Sequence, residues 1–251
     1  MIACKNCNAE FEGRYCNQCG QPAETHKMNI HFLVHDLQHG LLHLEKGIFF
    51  TIKELFTRPG TSIREYMEGK RVKHFKPISL ILVLAGILGL LSHYFHISML
   101  GQAFQVNGTD SKAEEIRRSF NEFSDWVSGH YSIVSLFLLP VFTLGTFLSF
   151  RKKGYNFIEH LVLNAFLTGQ RLVVNILLFP FYYLLNGTGD LKGFSDFVNL
   201  GLGLLTFWTL TQFFNTTKKS SVFWRTLLSF IISGIVYLAL GMAGFLIFVS
   251  K

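Results

Sequence analysis

Residues 131–150 read YSIVSLFLLPVFTLGTFLSF, twenty consecutive positions without an Asp, Glu, Lys or Arg. A helix of that length rises about 30 Å, the thickness of the hydrocarbon layer of a bilayer. Runs of similar character lie on both sides of it, at Pro77 to Ile97, Phe157 to about Leu185, Phe197 to Phe214 and Trp224 to Ser250. They predict an all-α membrane protein, a five-span helical bundle, with spans at about 77–97, 131–150, 157–185, 197–214 and 224–250. Composition agrees: 49% of the 251 residues are hydrophobic, and 16% are charged against about 25% in soluble domains. Disorder, a disulfide-rich secreted scaffold and a nucleotide-binding α/β enzyme are poor readings, because the chain is too apolar for the first and has no Gly-rich phosphate loop for the last.

The net charge is +7, and its placement carries more information than its sum. Residues 1–76 hold 11 Lys and Arg, residues 151–153 hold three and residues 215–225 hold three, which puts 17 on one side of the predicted bundle. The other side has five: Lys112, Arg117, Arg118, Lys192 and Lys251; Arg171 falls inside the third span. Basic loops stay in the cytoplasm. The expectation is therefore a bacterial inner-membrane protein with a cytoplasmic amino terminus and, after five spans, an external carboxyl terminus. The chain opens with polar sequence instead of a basic stub and apolar stretch, so no cleavable signal peptide is expected.

Residues 1–22 carry all four cysteines, Cys4, Cys7, Cys16 and Cys19, in a C-x2-C-x8-C-x2-C pattern. Two thiolates at C-x2-C spacing can reach one ion from one tight turn, and two such turns complete a tetrahedral shell. Zinc is the expected cofactor; the alternative, two disulfides, conflicts with a reducing cytoplasm. So short a segment cannot bury a useful core, so the metal supplies its folding energy. Phe11 and Tyr15 are expected to cover the site. A closed four-thiolate shell suits structural work, such as docking a cytoplasmic protein partner. Lys5 and Arg14 against Glu10 and Glu12 leave no basic footprint, so no nucleic-acid partner is expected.

Residues 28–76 read as cytoplasmic amphipathic or interfacial helices. His31, His35, His39 and His43 recur at every fourth position, so neighbouring members stand one helical turn apart. His35, His39 and His43 are therefore a candidate second metal site, and H-x3-H is a spacing that membrane di-iron hydroxylases and desaturases also use. The competing reading is an interfacial helix with His on its polar edge. Arg58-Pro59-Gly60 should end one helix, and Ser62-Ile63-Arg64-Glu65 has the form of a capping box that opens the next. Lys70, Arg71, Lys73 and Lys76 crowd before Pro77, where they can hold the headgroups of membrane lipids. Beyond the first span, Ile116, Phe120, Phe123 and Val127 have helical spacing and predict a short helix on the outer surface.

The third span carries the strongest intramembrane signal. On a helix His160, Asn164, Arg171 and Asn175 share one face over about 22 Å, with Glu159 at the cytoplasmic end and Thr168 at the edge. Pro180 is expected to bend or break the far end. Polar groups in hydrocarbon are costly and turn toward protein or a wet cavity. No carboxylate lies deep in another predicted span to meet Arg171, which leaves helix carbonyls, a water-filled cleft, a headgroup or a small anion. Small residues at Ala85, Gly89, Gly201, Gly203, Ala239 and Ala243 would let helices approach closely and permit a homo-oligomer.

The ribbon, followed by Leu55-Phe56-Thr57-Arg58-Pro59-Gly60, Arg64-Glu65-Tyr66-Met67-Glu68-Gly69-Lys70-Arg71 and Phe75-Lys76-Pro77, resembles a bacterial family of zinc-ribbon membrane proteins known only as a domain of unknown function. His35-Asp36, His39, His43, Lys46-Gly47 and Tyr155-Asn156-Phe157-Ile158-Glu159-His160 look like that family too. The five-span layout is also similar to the Yip family. Neither resemblance implies a known reaction. The sequence favours a non-enzymatic scaffold, channel or transport-type protein with a polar intramembrane cleft for a headgroup, ion or small anion. The alternative is a membrane-embedded metal enzyme acting on lipid through the His-rich helix, with Glu159 as a base.

Overall fold

The computed structural model describes residues 1–25, 28, 47–97 and 111–249. His31, His35, His39 and His43 lie outside the described residues. A two-stranded antiparallel hairpin, β1 (Ile2–Ala3) and β2 (Glu10–Phe11), precedes eight helices among those residues. These are α1 (Gly47–Thr57), α2 (Pro59–Glu68), α3 (Pro77–Tyr94), α4 (Ser111–Gly129), α5 (Tyr131–Phe150), α6 (Phe157–Leu185), α7 (Asp190–Phe213) and α8 (Lys219–Val249).

Four helices are long and apolar enough to cross a membrane: α3, α5 with its terminal turn to Lys153, α6 and α8. The predicted fourth span, 197–214, falls within α7, which is not among the four. Asp190, Lys192 and Asp196 occupy its first turns, and Asn199, Thr206, Thr209, Thr211 and Gln212 dilute the rest. Nonetheless α7 runs antiparallel to α6 along most of its length. Phe194 meets Tyr182 at one end, Thr209 bonds Gln170 further along, and Phe213 meets Tyr155 at the other end.

The polarity of α8 is inverted relative to a helix in water. Its buried residues are Val222, Thr226, Ser229 and Ser233, while Phe230, Ile231, Ile235, Leu238, Met242 and Leu246 face outward. An apolar exterior of that extent is unfavourable in water and natural against lipid. Hydroxyls turned inward donate to carbonyls one turn back, as Thr226 does to Val222 at 2.8 Å, so the buried groups stay satisfied. Near the carboxyl end of α8, Phe120 and Phe123 of α4 pack on Phe245, so the helix expected between Lys112 and Val127 forms. Helix α6 continues through Pro180 to Leu185 without breaking.

Close approach occurs where only some of the small residues predicted it. Ala85 is fully buried and Gly89 faces the Tyr131 Cβ position at 3.4 Å, but Gly201 and Gly203 meet nothing and Ala239 and Ala243 are exposed. The tight crossings lie instead at Gly145 of α5, against Ser229 and Ser233, and at Gly60 of α2, against the backbone of Thr209 and Phe213. The predicted capping box at Ser62 and Glu65 does not form: α2 begins three residues earlier, with Pro59 at its first position. Proline is preorganised for that place because its missing N–H would have no partner there anyway. Glu65 bonds Lys70 at 3.0 Å and Arg58 at 3.0 Å.

Residues 47–76 therefore belong to the main core. Leu55, Ile63, Tyr66 and Phe75 are buried in the same apolar cluster as Leu80, Leu163 and Phe166. The Thr51 hydroxyl accepts from the Phe75 backbone N–H at 2.7 Å, which ties α1 to the segment entering α3. His74 is enclosed by Phe50, Tyr66 and Phe166 in edge-to-face contacts. Burial drives its pKa down to about 4, with Glu65 acting against the fall and Arg58 with it.

Two outcomes follow from this packing. Gly60→Ala places a Cβ against helix backbone that cannot step aside, so it lowers stability by about 1–3 kcal/mol and depresses the melting temperature in detergent, whereas Gly201→Ala leaves it unchanged. His74 is neutral in the fold and protonates with a pKa near 6.5 once unfolded. Its contribution is complete above pH 6.5 and is lost as pH falls toward 4, costing about 2 kcal/mol by pH 5. Stability measured from pH 7 to 5 should fall less steeply in His74→Phe than in the parent.

Candidate functional site

The cysteine segment folds as two matching turns. In the first, Asn8 N–H donates to the Cys4 carbonyl at 2.8 Å and Cys4 N–H to the Ala9 carbonyl at 2.9 Å. In the second, Gly20 N–H donates to the Cys16 carbonyl and Cys16 N–H to the Gln21 carbonyl, both at 2.8 Å. Both turns need a left-handed residue after the second cysteine; Gly20 (φ 75°) and Asn8 (φ 61°) supply it. Glycine and asparagine are the residues that tolerate that region.

All four sulfurs lie within 4.8 Å of one another, with Cys4 to Cys19 at 3.5 Å and Cys7 to Cys16 at 3.6 Å. Zinc–sulfur bonds of about 2.3 Å in a tetrahedron set sulfurs roughly 3.8 Å apart. The donor set and spacing thus fit one metal ion. Phe11 is buried beside Cys4 and Cys16, as expected, but Tyr15 is 65% exposed and covers nothing. The turn at Pro22 pairs back with Tyr15 and closes the unit.

This unit is bonded to the helical core. Gln21, itself buried, accepts at Oε1 from the Arg71 backbone N–H at 3.2 Å, just beyond the end of α2. Gly69 turns there with φ 117° and leaves no room for a Cβ beside Thr25 and Lys5. Further along, Met28 is buried in the core of the bundle, and its carbonyl accepts from the Asn156 side chain at 3.3 Å. Of the basic residues before Pro77, Lys70 is paired with Glu65, and Arg71 lies over the Tyr66 ring and donates to the Tyr66 carbonyl. Lys73 is exposed and Lys76 half-buried.

The polar residues of α6 divide into separate settings. Glu159 forms a reciprocal capping box with Asn156: Asn156 N–H donates to the Glu159 carboxylate at 2.8 Å, and Glu159 N–H donates to the Asn156 side chain at 2.9 Å. The N-x-x-E spacing carried that signal in the sequence. His160 is fully buried, with Nδ1 3.3 Å from the Thr146 hydroxyl and Nε2 without a partner among the described residues. Asn164 donates to the same Thr146 hydroxyl at 2.7 Å and to the His160 carbonyl at 2.7 Å. Thr146 of α5 is the link that the sequence did not reveal.

Arg171 lies one level deeper and lines a small cavity with Asn164, Thr168, Thr206, Ser229 and Ser233. Its guanidinium sits 5.7 Å from the centre of the Phe142 ring, a cation–π geometry. Asn175 is half-buried and outside this cavity, as is Glu159. The structure thus brings His160 with Asn164, and Asn164 with Arg171, but not all five residues into one site. The hydroxyls of α8 went unread because Thr226, Ser229 and Ser233 sit in an otherwise apolar run.

Residues 45–89 match a family model described as a protein of unknown function (DUF3667). The matched stretch covers α1, α2 and most of α3, so it includes both the part joined to the cysteine unit and a helix of the bundle itself. No curated protein and no solved structure matches the chain.

Proposed function

We propose that this chain is a non-enzymatic integral protein of the bacterial inner membrane, in which a structural zinc ribbon is held as a cytoplasmic docking platform on the end of a helical bundle. The observation that carries the reading is the seating of the cysteine unit: its four sulfurs suit tetrahedral zinc, and Gln21 and Met28 fasten it to α2 and to the bundle core. A four-thiolate shell offers no open coordination position, so the metal folds the module without doing chemistry. The platform is the surface on which a cytoplasmic partner would dock, with Lys73 and Lys76 close to lipid headgroups.

In this reading α7 is a fifth crossing. Its antiparallel contacts with α6 run from Phe194 on Tyr182 to Thr209 on Gln170, Phe213 meets Tyr155 just before α6, and its 24 residues measure about 36 Å. The 17 basic residues on the ribbon side against five on the other supply the orientation. The carboxyl terminus then lies outside the cytoplasm.

Elemental analysis of the purified chain should give one zinc per molecule, and Cys16→Ser should lose it while the spans still insert; a metal-free chain would overturn the reading. Single-cysteine labelling, in a background without the native cysteines, should reach Ser111→Cys and Lys251→Cys from outside and Lys152→Cys and Lys218→Cys only from inside. A position 251 labelled only from within would instead leave α7 as a helix that does not cross.

A further inference from the structure

The Arg171 cavity has a chemistry that the docking platform does not use. Arg171 stands 14 residues from either end of α6, or about 21 Å from each end of that helix, and next to Gln170, whose amide bonds the Leu55 carbonyl of α1. Among the described residues no carboxylate pairs with Arg171. An arginine in such a setting needs a counter-charge, dipoles or water. Here one face of the guanidinium rests on Phe142, and the space beside it is walled by Thr168, Ser229 and Ser233.

The size of that space selects its occupant. The cavity measures about 30 Å³, and a water molecule needs roughly 10–15 Å³ measured in this way. The recess is partly open, and its innermost part, beside the guanidinium, holds one or two water-sized bodies, which suits a monatomic ion better than a lipid phosphate or an organic solute. Its donors suit a negative ion. The guanidinium has five N–H groups, and Ser233 Oγ makes only a long bond, 3.5 Å, to the Val141 carbonyl, so it is free to turn. No carboxylate lines the wall to repel an anion.

We propose that this cavity binds a single monatomic anion of the chloride class, held by Arg171 with hydroxyls from α6 and α8, which neutralises the charge within the bundle. The site joins α5, α6, α7 and α8, since Phe142, Arg171, Thr206 and Ser233 each contribute to its wall. Halide occupancy should consequently stabilise the packing of these four helices against one another. The proposal goes beyond the docking role and does not depend on it.

The test is thermal unfolding of the purified full-length chain in detergent, with chloride or bromide replacing gluconate at constant ionic strength. A bound anion raises the melting temperature by mass action, by roughly 2–4 °C when the halide is at about five times its dissociation constant and logarithmically further above that. Arg171→Leu should abolish the dependence on halide. Thr168→Leu, which keeps the charge and fills the space, should raise at least tenfold the halide concentration that gives the same shift, and it provides the comparison if Arg171→Leu does not fold. Equal melting in gluconate and halide, or a halide shift that survives Thr168→Leu unchanged, would overturn the proposal and mean that the cavity holds water alone. Zinc content, read in the same samples, stays at its parental value in either case, so failure here is distinct from failure of the docking reading.

Discussion

Helix ends buried in apolar surroundings leave carbonyls without partners, and the junction between the amino-terminal third and the bundle depends on how two such ends are satisfied. Gln170, buried in the middle of α6, donates its amide to the Leu55 carbonyl near the end of α1 and accepts the Thr209 hydroxyl of α7 at 3.2 Å. Arg64 of α2 donates to the carbonyls of Gln212 and Phe213, at the end of α7. A cation is well placed at a helix carboxyl terminus, where the macrodipole adds to the hydrogen bonds. Those few bonds let α1 and α2 enter the core. Without them the α1–α2 corner would bury unpaired carbonyls at about 1–3 kcal/mol each.

Once that corner is fixed, the cysteine unit has a rigid surface to sit on. Arg71 N–H, just past the end of α2, meets Gln21, and the left-handed turn at Gly69 brings Thr25 close. In the proposed reading, metal binding, folding of the cysteine unit and its position are consecutive steps: the ion would order two short turns, and the ordered unit presents Gln21. The same core surrounds His74, whose neutral ring fills the angle between Tyr66 and Phe166. The stretch that matches the family model, 45–89, includes this connecting part.

Local chemistry was readable from sequence, whereas contacts between distant segments were not. The four clustered cysteines span only Cys4 to Cys19, and their spacing fixes the turns, so the cluster was legible. The long helices were legible because apolar runs leave few alternatives; α5 and α6 begin and end where the composition placed them. α7 was the exception, since its polar first turns and threonines blur the signal that its packing on α6 carries. Gln170 and Leu55 are separated by 115 positions, and nothing in either neighbourhood announces the pair. Ser62–Glu65 and Asn156–Glu159 both have the spacing of a capping box, yet only the second forms, because Pro59 starts α2 ahead of Ser62.

The central claim is that the cysteine unit, holding a metal ion as proposed, forms one mechanically continuous unit with α2 and the bundle, and amide hydrogen exchange in detergent before and after chelation of the metal tests it most directly. The account predicts that removing the metal exposes the ribbon amides and also accelerates exchange at Arg71 and through the last turn of α2, while the centres of α5 and α6 stay protected. Faster exchange confined to residues 1–25, with Arg71 and α2 unchanged, would contradict it.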